Sequence, residues 1–230
     1  MFYIKKLNTM KKIVFVLLTV IASSTIADAQ FLRYGIKGGI NSSKIKVDKT
    51  FLEDIVTPDG TRDFLLEQGD SKLGLHIGVF GRVQVLSLFI QPELLFTQTN
   101  GEFVITDQTD AQNTLNYLVE QKFSKFDIPV MIGWKFGPAK LFLGPVASFV
   151  ISEKSDFKEV LNVNAAENEF KKAVFGYQAG VGIDIFKFAT FDVKYEGNLS
   201  RLGENVTIGG KDFNLDQRNP QIIFSLGIFL

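Results

Sequence analysis

The sequence predicts an all-β fold: an eight-stranded antiparallel up-and-down transmembrane β-barrel with short periplasmic turns and long extracellular loops. Three observations carry it. Eight segments alternate with period 2, and the clearest, in the hairpin Lys122–Ile151, sets Phe126, Ile128, Val130, Ile132, Trp134 and Phe136 against Lys125, Asp127, Pro129, Met131, Gly133 and Lys135. The apolar set is nearly continuous while the other keeps ions and glycine, which suits a wall with hydrocarbon outside and polar groups inside. The segments also exceed the about 5–6 residues of ordinary strands and reach the about 9–11 that a tilted membrane crossing needs.

Strand one is expected at Leu32–Ser43, where Leu32, Tyr34, Ile36, Gly38 and Ile40 alternate with Arg33, Lys37, Gly39 and Asn41. The polar stretch Lys44–Ser71, with a Pro58-Asp59-Gly60 turn, reads as a loop whose apolar clusters extend the barrel as a hairpin. Strand two, Lys72–Gln84, places Leu73, Leu75, Ile77, Val79 and Val83 opposite His76, Gly78, Phe80, Arg82 and Gln84. A tight connection near Val85–Ser87 leads to strand three, Leu88–Thr99, with Gln91, Glu93 and Thr97 on its polar face. Asn100–Leu118 reads as a second polar loop, and the hairpin with its Gly137-Pro138-Ala139-Lys140 turn supplies strands four and five. After the charged loop Ser152–Lys171 come strand six, Ala173–Phe186, and strand seven, Phe188–Leu199. A last loop, Ser200–Gln217, precedes strand eight, Arg218–Leu230.

Long connections of about 18–28 residues alternate with short ones of about 2–4. An even strand count with short turns on one side and long loops on the other is the pattern of bacterial outer-membrane barrels. A soluble barrel or sandwich explains the alternation but not the loop asymmetry. Aromatic side chains gather at two levels: Tyr34, Trp134, Phe136, Phe186 and Phe188 near the short turns, and Phe96, Phe126, Phe149, Phe175 and Tyr195 toward the long loops. Amphipathic rings favour the headgroup zones, so these ten residues are expected to form two girdles in contact with outer-membrane lipid.

The chain has 230 residues and no cysteine, which excludes disulfides, thiolate metal sites and a cysteine nucleophile. Residues 1–29 read as an export signal: Lys5, Lys6, Lys11 and Lys12 precede the apolar core Ile13–Ile21, and Ala27-Asp28-Ala29 fits a cleavage site. The barrel domain is then 30–230, and either Met1 or Met10 serves as the start. Removing the leader takes four lysines and one aspartate from 25 basic and 25 acidic residues, leaving 21 against 24, a net −3. A mildly acidic exported protein without a basic stripe is not a nucleic-acid binder.

Several segments together resemble the PorT-like outer-membrane β-barrel family of the Bacteroidetes, a porin family. They are YGIKGGINSS at Tyr34–Ser43, QPELLFTQTNG at Gln91–Gly101, FDIPVMIGWKFG at Phe126–Gly137, LFLGPVASFVI at Leu141–Ile151 and YQAGVGIDIFKFATFDVKY at Tyr177–Tyr195. The resemblance covers nearly the whole mature chain in order. It implies an outer-membrane barrel, matches Glu93 and Asp127 to acidic positions of the family, and carries over no catalytic residue. Founding members of that family are tied to protein secretion, so an accessory barrel that binds secretion or other envelope proteins is the alternative reading.

The inward set expected from the alternation contains Arg33, Lys37, Arg82, Lys125, Lys135 and Lys194 against Glu93, Asp127, Asp184, Asp192 and Glu196, with His76 among them. Eight strands leave a bore that side chains fill, and an isolated buried ion is very costly, so these charges are expected to pair into a structural plug. Arg82, Glu93, Lys125 and Asp127 lie on consecutive strands and are expected to form one network. His76 is the only histidine, which leaves a nucleophilic triad or zinc site short of partners. The reading is therefore a structural or porin-like barrel with no catalytic residues, no metal and no cofactor; a lipid-modifying enzyme using His76 is the third reading.

Overall fold

The computed structural model describes residues 32–43, 49–57, 60–109, 114–155, 166–170, 173–200, 203–208, 211–217 and 220–230. The proposed leader, 1–29, lies outside them.

Eight long strands form a closed antiparallel cycle: β1 (Leu32–Ser43), β4 (Lys72–Val85), β5 (Leu88–Asp107), β6 (Leu115–Phe136), β7 (Ala139–Ser155), β9 (Ala173–Ile185), β10 (Ala189–Asn198) and β13 (Gln221–Phe229). Each pairs with its neighbour in that order, and β13 closes onto β1 from Gly35↔Phe229 to Ser43↔Gln221. Closure leaves no open edge within the wall, the condition for a sheet to sit in lipid. The turns at Leu86-Ser87, Gly137-Pro138 and Phe186–Phe188 all fall at one end. Backbone φ is positive at Leu86, Gly137 and Phe186, as such tight reversals require.

The wall is apolar outside and charged inside. Ile132, Val181 and Leu226 are 56%, 56% and 52% exposed, whereas Lys37, Arg82 and Asp192 are 2%, 0% and 0% exposed. A soluble domain has the reverse distribution. Inward glycines let strands approach closely: a Cβ on Gly144 would lie 1.9 Å from the Val130 carbonyl oxygen. The lining is not wholly polar, because Phe89, Met131 and Phe142 pack together on one side of the bore.

Five further strands lie outside the cycle, where the sequence suggested mainly loops. β2 (Thr50–Thr57) and β3 (Gly60–Gln68) form a hairpin, and β3 pairs with the upper part of β5 from Phe64↔Asp107 to Gln68↔Phe103. β8 (Ala166–Phe170), β11 (Gly203–Ile208) and β12 (Lys211–Gln217) form a separate three-stranded sheet. The expected loop Asn100–Leu118 is mostly ladder, since β5 and β6 stay paired up to Asp107↔Leu115. Inward positions along this part of the β5–β6 ladder explain why: Phe103, Ile105, Val119 and Phe123 are buried, and so are Leu52, Ile55, Phe64 and Leu66 of the hairpin. Burial of these side chains favours an ordered head over a solvated loop. The interior thus changes character with height, from mostly charged within the membrane to mostly apolar above it.

Candidate functional site in the barrel interior

The alternation of each strand delivers its charged side chains to the bore, and closure of the sheet brings them together. On the short-turn half, seven side chains form a cycle. Lys37 Nζ lies 2.5 Å from Glu93 Oε1 and 2.9 Å from Asp192 Oδ2. Lys140 Nζ is 2.6 Å from Asp192 and 3.6 Å from Asp184. Arg82 Nη1 donates to both oxygens of Asp184 at 3.0 and 2.8 Å, and its Nε donates to Gln91 Oε1 at 2.6 Å. Gln91 Nε2 completes the cycle by donating to Glu93 Oε1 at 2.6 Å. Lys194 braces Glu93 at 3.0 Å, and Lys135 braces Asp184 at 2.6 Å.

The long-loop half holds a second group. Lys125 Nζ lies 3.3 Å from Asp127 and 3.2 Å from Glu196. Gln178 and Gln221 each donate to Glu196 at 2.6 Å, and the Ser148 hydroxyl donates to Asp127 at 2.5 Å. Arg82, Glu93, Lys125 and Asp127 therefore do not form the single network expected from their adjacent strands. Arg82 and Glu93 belong to the first group, Lys125 and Asp127 to the second. The expectation counted sequence neighbours, whereas in a narrow bore side chains reach across to facing strands at their own height.

The sequence pattern places Lys140 in a turn, but the turn is only Gly137-Pro138, and Lys140 is the first inward side chain of β7, 2% exposed. Counting the alternation back from Phe142 would have found it. Gln178 and Gln221 were missed as charge partners because neutral amides carry no signal in a charge count. Arg33 sits at the short-turn mouth, where its guanidinium donates to the Lys187 carbonyl and lies 3.4 Å from the centre of the Phe229 ring. His76 is buried, with Nε2 2.9 Å from Ser225 Oγ. Among the described residues its Nδ1 has no hydrogen-bond partner, and no carboxylate there orients the imidazole as a catalytic triad requires. Among the described residues no group of three His, Cys, Asp or Glu side chains could hold a metal ion.

On the outside, the ten aromatic residues all point away from the bore and are exposed. Trp134 and Phe136 stack at 6.0 Å, and Phe186 and Phe188 at 6.2 Å, near the short turns. Phe96, Phe126 and Phe149 stand in register across β5, β6 and β7 at the opposite level. Above that level, Lys72 lies 2.6 Å from Glu102 and holds its carboxyl below the usual range. Burial pushes the Glu153 carboxyl up to about 7, against the lowering hydrogen bond from Gln121.

Several solved structures match this chain at low identity. Ail, the attachment invasion locus protein of Yersinia pestis, solved with the heparin analogue sucrose octasulfate, is 12% identical with a TM-score of 0.44, covering 87% of this chain and 100% of its own. OprG from Pseudomonas aeruginosa is 11% identical with a TM-score of 0.47, covering 86% and 95%. Neisserial surface protein A is 11% identical with a TM-score of 0.46, covering 85% and 96%. No curated protein matches the sequence. Residues 23–203, most of the chain, match the outer membrane protein beta-barrel domain. With its lipid-facing wall in the outer membrane, this chain belongs to the outer membrane protein beta-barrel domain family.

Proposed function

We propose that this protein is a non-enzymatic structural barrel whose bore is closed, and which holds a β-structured head above the outer membrane. The observation that carries this reading is the seven-membered cycle Lys37–Asp192–Lys140–Asp184–Arg82–Gln91–Glu93, which bridges β1, β4, β5, β7, β9 and β10 across the lumen. Ions crossing the bore would have to break paired buried charges, at a cost of several kcal/mol each, on the order given for buried ion pairs. Single-channel recording in planar bilayers tests this reading. The expected trace shows no discrete conductance steps, and regular steps from the purified protein would overturn the closed reading.

The ordered motif set from Tyr34 to Tyr195 favours placing the chain in the PorT-like group of the Bacteroidetes. An accessory role in secretion is the second reading. It is favoured by Phe51 and Leu118, each 61% exposed on the outer face of the head, where large apolar side chains suit a protein partner. Co-purification after crosslinking separates the two. Capture of secretion subunits that Phe51→Ser and Leu118→Ser abolish supports the second, and recovery of the barrel alone supports the first.

A further inference from the structure

The charges of the bore are unevenly divided. On the short-turn half, six cations, Arg33, Lys37, Arg82, Lys135, Lys140 and Lys194, face three carboxylates, Glu93, Asp184 and Asp192. On the other half, one lysine, Lys125, faces two carboxylates, Asp127 and Glu196. The excess is sharpest at the periplasmic mouth, where Arg82, Lys135 and Lys140 converge on the single carboxylate of Asp184.

Two features there are unfavourable as they stand. Arg82 is fully buried, yet among the described residues its Nη2 has no hydrogen-bond partner. Arg33 lies directly opposite Arg82 in the β1–β4 ladder, and both guanidinium groups lie over the Phe229 ring, at 3.4 and 5.0 Å. Like charges directly opposed across a strand pair destabilise a sheet, and a buried donor without an acceptor costs free energy. Both are relieved by one anion.

We propose that the periplasmic mouth seats a phosphate-class oxyanion, held by Arg33 and Lys135 and backed by Arg82. Arg33 and Lys135 are the accessible members: Arg33 is half-buried, and the Lys135 side chain is 19% exposed. The guanidinium of Arg33 now donates to the neutral Lys187 carbonyl, which a charged oxygen displaces readily. Its planar fork matches phosphate geometry, and Lys135 adds a point charge from the facing side. The phosphate arrives either as the headgroup of an inner-leaflet phospholipid or as a free ion. The inference goes beyond the closed-barrel reading and does not depend on it, because the seat lies at the mouth whether or not ions cross.

The test is thermal unfolding of the folded protein in maltoside micelles. One arm titrates inorganic phosphate against chloride at equal ionic strength; the other dopes the micelles with phosphatidylglycerol or with phosphatidylcholine. Saturable stabilisation by phosphate identifies the free ion, and stabilisation by phosphatidylglycerol alone identifies the headgroup. Arg33→Gln is expected to weaken the apparent affinity about tenfold, as loss of a charged hydrogen bond implies, while Lys154→Gln at the opposite end leaves it unchanged. Lys135→Gln serves the same purpose should Arg33→Gln not fold. No saturable response in either arm, or an affinity the same in the Arg33 or Lys135 variant as in the wild type, overturns the proposal.

Discussion

Lys37 Nζ lies 2.5 Å from Glu93 Oε1, with both side chains fully enclosed. One ion pair thereby ties β1 to β5, and Lys194 ties β10 to the same carboxylate at 3.0 Å. Replacing Glu93 with Gln leaves two buried ammonium groups short of their shared counter-charge. The expected loss is about 3–5 kcal/mol of stability, the range for breaking a buried pair. Urea unfolding in lipid vesicles measures it, with bilayer conductance recorded in parallel. A large conductance gain without a loss of stability would contradict the plug.

Lys140 bridges Asp192 and Asp184 and donates to Thr190 Oγ1 at 2.5 Å. Lys140→Met keeps the length of the side chain but removes a shared counter-charge from both carboxylates, leaving Asp192 to Lys37 and Asp184 to Arg82 and Lys135. A loss of about 3 kcal/mol is expected, set against less than about 0.5 kcal/mol for Lys187→Met on the exposed turn. Equal midpoints for the two variants would remove Lys140 from the network.

Ile132 is 56% exposed on the outer face of β6, within the band read as facing hydrocarbon. Lysine at such a depth costs about 2–4 kcal/mol in an outer-membrane barrel. Ile132→Lys should therefore lower the urea midpoint in bilayers of normal thickness. A variant as stable as the wild type would mean that this face meets water.

Glu153 lies above the apolar band, and burial holds its carboxyl near pH 7 instead of the ordinary 4.5. Between those two values the folded protein keeps a proton that the unfolded chain has lost. Stability therefore falls as the pH rises from about 4.5 to about 7 and stays level above that. Because the side chain is partly open to solvent, the drop is expected to be only about 1 kcal/mol. Glu153→Gln should flatten that part of the pH profile, and a slope that survives the substitution would assign it to another group.

The strands of the wall were legible because period 2 is a local property. β1 spans the predicted Leu32–Ser43, and the register of Phe126, Ile128 and Ile132 against Asp127 needs only the sequence around it. The head was less legible. Phe103 and Ile105 flank Val104 in an unbroken apolar run, which shows no contrast between two faces, and they lie buried where the β2–β3 hairpin pairs with upper β5. Lys140 was hidden by the turn chemistry of Gly137-Pro138, which drew two strand residues into the expected reversal.

By itself the sequence determined which face of each long strand is apolar, how many such strands there are, and that the charged faces share one enclosed space. Only the tertiary structure decided which charge meets which. Alternation fixes the direction of a side chain from its own strand, but a partner across the bore is set by the stagger of the closed sheet. That stagger places Lys37 against Glu93 and Asp192 and separates Lys125 from Arg82, while the β1–β4 register sets Arg33 beside Arg82 at the mouth.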